Sequence, residues 1–367
     1  MFGKQFKKLL SRKVFSIIVV SLFMFMNKAM MIAMFMAIID LPSNLYLMFF
    51  KPLEDISCSY LETGDVLPSA DTIKLSSKSI FFIETSCRGG LDARQACTIE
   101  SAARSHPDWD INVLFTAPAT EESLKTSKAL LEPFDNVQFY RIHMVKYATG
   151  TPLESFIAQG ALNRSQYPIV HLSDIMRILT LYKWGGVYLD LDAVVAKPLG
   201  SLAKNWAARE SDTSVCNAAM AFSIDDLGRR ITSDVLRDIG SSFRWDSWTY
   251  NGPGAITRVL RNVCSTLEVT RMNAETCNGL EVYDPEYFHP VHWMQAKFYF
   301  ETGPIDINKS YVYHVWGRQT RHLRIQSGSP YETLAKNFCP TAYNVHLQKF
   351  ITRPGLLDNI FMVNDIT

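Results

Sequence analysis

Neither sign of charge dominates this 367-residue chain: 37 Lys and Arg stand against 36 Asp and Glu, for a net charge of +1. That lacks the basic excess expected of a nucleic-acid-binding surface and argues against a nucleic-acid partner. No low-complexity tract and no repeat of solenoid period is present, which excludes repeat arrays. The seven cysteines (58, 87, 97, 216, 264, 277 and 339) include no C-x-x-C pair, so the usual zinc pattern is missing. No Pro/Gly-rich linker divides the chain beyond residue 78. What is there is globular composition, 47% hydrophobic and 20% charged, with length enough for one large domain or two modest ones.

The N-terminus departs from that average. Lys4, Lys7, Lys8, Arg12 and Lys13 precede an apolar stretch, residues 14–39, interrupted only by Asn27 and Lys28. Roughly 20 apolar residues span a bilayer, and a basic flank stays cytoplasmic. The expectation is a type II topology: cytoplasmic tail 1–13, signal-anchor helix 14–39, luminal stem 40–78, and a luminal domain beyond. Lys28 opposes this, because a central Lys costs about 2.5–3.5 kcal/mol on insertion scales. Snorkelling lowers that cost, and a start at Met26 or a nearby Met would move the span to 30–50. The rival is a cleaved signal peptide, against which stand the length of the run and the lack of a small-x-small cleavage site. An oxidising compartment suits the cysteines. Their odd count leaves at least one thiol unpaired within the chain, and Cys264 with Cys277 is the candidate local bridge, although spacing does not fix connectivity. Asn163 and Asn308 open N-x-S sequons, usable as glycosylation sites only in that topology.

The fold is expected to begin at "SIFFIETS" (79–86), an apolar run ending in small polar residues. "ACTIESAARSHP" (96–107) reads as a helix stopped before Pro107, and "INVLFTAP" (111–118) and "VQFYRIH" (137–143) as further strands. This alternation predicts an α/β sheet, partly parallel, with ligands at the carboxyl ends of its strands. In "LSDIMRILTLYKWGG" (172–186), Ile175, Ile178, Leu179 and Tyr182 recur at helical spacing, with Ser173 as the expected N-cap and Gly185-Gly186 as the stop. A strand over 187–195 follows. Residues 79–200 and 201–345 are read as two halves of one catalytic unit, and 346–367 as a tail.

"WGGVYLDLDAVV" (184–195) sets Asp190 and Asp192 in an otherwise apolar run. In a strand the two would share a face, about 7 Å apart. Like charges so close ionise together cheaply only beside a cation, which predicts a hard divalent ion, Mg2+ or Mn2+, carrying phosphate oxygens. D-x-D alone is a weak motif; two glycines and an apolar strand before it make it stronger. Asp174 and Arg177, at i and i+3 on the preceding helix, share one face. Alone they read as a surface pair worth a few tenths of a kcal/mol. Joined to the D-x-D they point to a polar ligand between helix and strand.

The stretch from Ser173 to Leu199 resembles the signature of the family 32 glycosyltransferases, nearest the group of α1,4-galactosyl-, α1,4-N-acetylglucosaminyl- and α1,4-N-acetylgalactosaminyltransferases. The resemblance extends over "FIETS" (82–86), "CTIESAARSHP" (97–107), "NGPGAITRVL" (251–260), "YFHPVHW" (287–293), "YVYHVWGR" (311–318) and "FCPT" (338–341). It implies a retaining Golgi enzyme on a GT-A fold, a Rossmann-like and mostly parallel sheet. The donor would be UDP-galactose or a UDP-N-acetylhexosamine and the acceptor a glycolipid such as lactosylceramide, joined by an α1,4 linkage.

Carried to matching positions, the resemblance gives Asp190 and Asp192 the metal and UDP diphosphate, with His314 as a further metal or diphosphate contact. Asp174 and Arg177 would hold the donor sugar, and Thr85 and Ser86 would border the uridine. Asn251, Gly252 and Gly254 would form a close-approach loop beside donor or acceptor, with Trp316 as a nearby wall. Leu191 stands where relatives often carry Thr. For His314 the plainer reading is a core histidine satisfied by backbone, and for Trp316, Trp293 and Trp248 it is core packing. Competing functions are an α1,4-N-acetylglucosaminyltransferase on glycoprotein glycans, a haloacid-dehalogenase-like phosphatase using Asp190 as nucleophile, and an inactive sugar-binding membrane protein.

Overall fold

Alternating apolar runs and amphipathic helices assemble into one seven-stranded sheet covered on both faces. The computed structural model describes residues 64–347, apart from position 75, together with Ile351 and Thr352. In chain order the sheet strands and principal helices begin β1 (Ser79–Glu84), α1 (Ala93–Ser105), β2 (Asp110–Phe115), α2 (Glu121–Leu131), β3 (Val137–Arg141), α3 (Pro168–Trp184), β4 (Gly186–Leu189) and β5 (Ala193–Val195). They continue with β6 (Asn205–Arg209), β7 (Val215–Phe222), α4 (Asp226–Ser242), α5 (Pro253–Val263), β8 (Leu280–Tyr283), β9 (Val312–His314), α6 (Pro330–Phe338) and α7 (Pro340–Val345). The sheet order is β3-β2-β1-β4-β7-β6-β8, and only β7 runs antiparallel to its neighbours.

The expected α/β architecture with a mostly parallel sheet is therefore present, and its physical basis is visible in β1. All six of its residues are buried, as continuous apolar strands must be when helices cover both faces. Ile80 and Phe82 pack with α1 and α2, while Phe81 and Ile83 pack with α3, α4 and α5. A third apolar cluster joins the C-terminal helices to α1 and β9. There Cys97 of α1 is bonded to Cys339, and the buried Glu100 accepts the Thr341 and Ala342 N–H groups of α7 at 2.9 and 2.8 Å. Two motifs 240 residues apart in the sequence are thus one contact.

Several expectations change. Helix α3 starts at Pro168 with Tyr167 before it, so Ser173 is not its cap. Pro168 supplies the preset φ and needs no N–H partner at the first position, and the Ser173 hydroxyl bonds Arg177 instead. The expected strand 187–195 is broken at the acids: β4 stays in the main sheet, whereas β5 pairs with β9 in a separate two-stranded ladder. Part of the expected stem is packed onto the domain, with Ala70 and Ile73 buried and Asp65 bonded to the buried Arg141 at 3.0 Å. The tail 1–13, the span 14–39 with its alternative 30–50, and most of 346–367 lie outside the described residues. Among the described residues no helix is long and apolar enough to cross a membrane.

Candidate active site

The break between β4 and β5 builds the site. Asp190 ends the main-sheet pairing, its N–H donating to Ala218 O at 2.9 Å, and Ala193 N–H closes a turn onto Asp190 O at 3.1 Å. A turn does not alternate side chains as a strand does. Asp190 and Asp192 therefore converge on a point instead of standing about 7 Å apart along a pleat. The β5–β9 register sets His314 opposite Ala193. The result is a cluster of Asp190, Asp192 and His314 whose ligand atoms all lie within 4.8 Å of one another.

Asp190 divides its oxygens. Oδ1 accepts from the Tyr188 hydroxyl at 2.7 Å and meets Arg177 Nη1 at 2.8 Å, while Oδ2 faces His314 Nε2 at 3.7 Å. Asp192 Oδ2 takes the Gly317 N–H, and its Oδ1 lies 3.0 Å from His314 Nε2. That last contact is short but off the line of a hydrogen bond, and both His314 nitrogens are buried without a hydrogen-bond partner. Burial alone would lower the His314 pKa. The adjoining Asp192 and Asp190 charges outweigh it and push the pKa up to about 10. The same pairing holds the Asp192 carboxyl below its usual range despite burial. Two carboxylates and an imidazole whose proton a cation would displace, with ligand atoms within 4.8 Å of one another, form a donor set that fits a divalent cation.

Arg177 is the keystone of the neighbouring helix. Its Nε donates to Ser173 O, Nη1 to Asn217 O and to Asp190, and Nη2 to Ser173 Oγ. Of the five N–H donors of a guanidinium one remains, on the side of Asp174 Oδ1 at 3.7 Å. The ring of Tyr188 lies 4.7 Å below it. Arg177 thus braces both acids more than it offers itself to a ligand. Asp174 Oδ1 accepts from Asn217 Nδ2 at 2.8 Å, whereas Oδ2 is buried and unpartnered, and burial raises its pKa above the usual carboxylate range. An orphaned acceptor of this kind costs free energy unless something fills it.

The remaining expected residues divide. Thr85 is buried at the carboxyl end of β1, and the Ser86 backbone N–H and hydroxyl both bond Glu84 Oε1. Asn251 is fully occupied inside the fold: its Oδ1 takes the Arg244 N–H, and its Nδ2 serves Arg244 O and His171. Gly254 likewise spends its N–H on Thr249 O at 2.8 Å. Gly252 does make a close approach, but to a protein group: a Cβ there would stand 2.4 Å from Asp174 Oδ1. Trp316 adopts φ 56°, donates its indole N–H to Val291 O at 2.8 Å and sets its ring 4.4 Å from His314. That is an internal wall behind the metal ligand.

Asn163 and Asn308 are exposed. Cys264 and Cys277 are bonded, Cys87 is bonded, and Cys216 is a buried free thiol. Asp225, which a phosphatase reading would enlist, caps α4 at the opposite end of the sheet from Asp190, since it follows the far end of β7. The Lys204 hydrogen bond holds its carboxyl down at about 2.

Sequence reasoning passed over four further residues, three at the cluster and one at the carboxyl end of β1. Tyr188 was legible as the residue two before Asp190 on the same strand face. Asn217 arrives from the antiparallel β7 and left no local signal. Glu84 stood inside a quoted motif: its Oε2 is buried and unpartnered, and burial raises its pKa. His289, with both nitrogens buried and unpartnered, meets the His314 ring edge-on at 5.3 Å. Its pKa falls well below the usual range through burial and the His314 charge.

Residues 92–212 match the glycosyltransferase sugar-binding region containing the DXD motif, and residues 224–346 match the α1,4-glycosyltransferase conserved region. The lactosylceramide 4-alpha-galactosyltransferase of Homo sapiens is 31% identical over 275 residues, spanning 72% of this chain and 76% of that protein. The chain belongs to the α1,4-glycosyltransferase family. The Mus musculus lactosylceramide 4-alpha-galactosyltransferase is 30% identical over 72% of this chain and 75% of its own. Human alpha-1,4-N-acetylglucosaminyltransferase is 24% identical over 72% and 80%. Among solved structures, galactosyltransferase LgtC with donor and acceptor sugar analogs superposes with TM-score 0.36 at 14% identity, covering 57% of this chain and 74% of that one. Within this glycosyltransferase, Asp190 and Asp192 fall inside the matched sugar-binding region, and His314 falls inside the second matched region.

Proposed function

We propose that this hexosyltransferase is a Golgi-membrane enzyme on a GT-A fold that moves galactose or N-acetylgalactosamine from a UDP-sugar, with retention, to a glycosphingolipid such as lactosylceramide. The observation that carries the reading is the convergence of Asp190, Asp192 and His314 from two matched regions of the chain onto one point. The names of the galactosyltransferase relatives support the donor and acceptor. Two carboxylates with an imidazole favour Mn2+ over Mg2+, which prefers oxygen throughout.

When bound, the cation neutralises charge that develops on the departing diphosphate. Asp190 contributes the oxygen that Arg177 and Tyr188 leave free, and the Gly317 N–H fixes the rotamer of Asp192. Asp174 Oδ2 accepts a donor-sugar hydroxyl, which removes its burial penalty only when substrate is present. Thr85 and Ser86 border the nucleoside. The bond from the anomeric carbon to the β-phosphate oxygen breaks, and the acceptor hydroxyl oxygen bonds that carbon on the same face. The acceptor proton passes to the departing phosphate oxygen, so UDP leaves and no protein nucleophile is required.

The second reading is an α1,4-N-acetylglucosaminyltransferase on glycoprotein glycans, favoured by the human relative at 24% identity. A screen of UDP-galactose, UDP-N-acetylgalactosamine and UDP-N-acetylglucosamine against lactosylceramide and O-glycan acceptors, with Mn2+ present, separates them. Transfer of galactose or N-acetylgalactosamine to lactosylceramide supports the first reading. Transfer of N-acetylglucosamine to the glycan supports the second.

A further inference from the structure

The segment just behind the metal-ligand cluster carries an apolar surface that the chemistry above does not use. Trp293, Met294 and Phe298 lie on one short 3-10 helix, Trp293–Tyr299, and are 43%, 69% and 39% exposed. Ala296 and Tyr299 of the same helix are buried and hold it to the domain. Large side chains scattered singly over a surface need no explanation, but three within six positions concentrate apolar exposure on one short segment. Its neighbour is the segment 316–326: Trp316 Nε1 bonds Val291 O, and Gln326 N–H bonds Phe300 O. That neighbour exposes Arg321, His322 and Arg324, and Lys297 is exposed on the helix itself.

We infer that this face rests on a bilayer surface, with Trp293, Met294 and Phe298 in the headgroup–acyl boundary and Lys297, Arg321 and Arg324 against lipid phosphates. Aromatic and sulfur-bearing side chains bordered by cations are the composition by which a protein lies in a membrane interface. Lipid phosphates complement a basic border that would disfavour association with a second copy of the same face. The position fits the reaction as well. Val291 and His289 link the segment to Trp316 and His314, so a face docked there keeps the cluster near the bilayer that holds the lipid tail of an acceptor. This role rests on the proposed glycolipid acceptor, but its first test does not.

The full chain is reconstituted in phosphatidylcholine vesicles with and without brominated acyl chains, and tryptophan fluorescence is compared. The expected result is quenching that W293F reduces and that W245F, at the other well-exposed tryptophan, leaves in place. Quenching identical in wild type and W293F overturns the inference. The second readout is the ratio of kcat/KM for lactosylceramide in vesicles to kcat/KM for a water-soluble lactoside. The triple variant Trp293→Ser/Met294→Ser/Phe298→Ser should lower that ratio at least tenfold while soluble-acceptor activity stays within twofold. If soluble activity also falls, the ratio is read from Met294→Ser alone, whose side chain is the most exposed. An unchanged ratio overturns the inference. Wild-type protein that is quenched through Trp293 yet transfers to no lactoside overturns the glycolipid reading and leaves the membrane face standing.

Discussion

At the residue scale the site works by dividing labour between the two oxygens of each acid. Asp190 Oδ1 is spent on Arg177 and Tyr188, so Oδ2 is held for a ligand; Asp174 Oδ1 is spent on Asn217, so Oδ2 is left buried and unfilled. Asp192→Ala removes a proposed cation ligand whose side chain contacts the Gly317 N–H and His314, and the imidazole can release its proton once that carboxylate is gone. Transfer should fall to background while the thermal melt stays near wild type, and retained Mn2+-dependent transfer would contradict the assignment. Asp190→Ala is a different experiment, because it leaves the buried Arg177 facing a missing partner. Activity should vanish and stability should also fall, by about 3–5 kcal/mol, the cost of breaking a buried pair, as read by denaturant unfolding.

Glu84 gives a pH signature. Burial raises its folded pKa above the unfolded one, so the favourable neutral form is fully populated below the unfolded value, about 4.3. That contribution is lost as pH rises through the folded value. Glu84→Gln keeps the acceptor for Ser86 without the charge. The variant should match wild type in Tm near pH 4 and exceed it near pH 7.5, both values being approximate and set by the ordinary carboxylate range. A wild type more stable at both pH values would contradict the burial argument.

At the element scale, β1 to β4 and α1 were legible because apolar continuity and helical periodicity are local properties of the sequence, whereas β6, β7 and β8 were not read as strands. The site was legible in part: Asp174, Arg177, Asp190, Asp192 and His314 are brought together, and the D-x-D motif supplied the pattern. What the sequence could not carry was the break between β4 and β5. A short apolar run with two acids has no periodicity that distinguishes one strand from a strand, a turn and a second strand. The partner that decides it, β9, lies more than a hundred residues downstream. Gly252 shows the same limit in another form. Its glycine signal was legible, but the group it approaches is Asp174 of α3, not a ligand. Gly252→Ala forces a Cβ against that carboxylate. Displacing it by about 1 Å should cost on the order of 10²-fold in kcat/KM with the fold retained by circular dichroism. An active Ala variant would show that the Asp174 position is not critical.

At the scale of the whole molecule, residues 79–200 and residues 201–345 are fastened together by a long-range bridge. The Cys97–Cys339 bridge spans 242 residues, against 13 for Cys264–Cys277, and it lies beside the Glu100 contact that caps α7. In the chain-entropy model the longer loop restricts the unfolded chain more, by roughly 2.6 kcal/mol over the shorter one. Removing both Cys97 and Cys339 with serine should therefore lower Tm further than the same change at Cys264 and Cys277. An equal or smaller loss would assign the stabilisation to local packing.

The central claim, retaining α1,4 transfer from a UDP-sugar at the Asp190–Asp192–His314 cluster, is tested most directly by the anomeric configuration and linkage of the product. The full chain is incubated with UDP-galactose, Mn2+ and a lactosyl acceptor, and the product is read by proton NMR. The account predicts an α-configured galactose on the O4 of the terminal sugar, formed by wild type and absent with Asp192→Ala. A β-configured product, or an α product that survives Asp192→Ala, would contradict it.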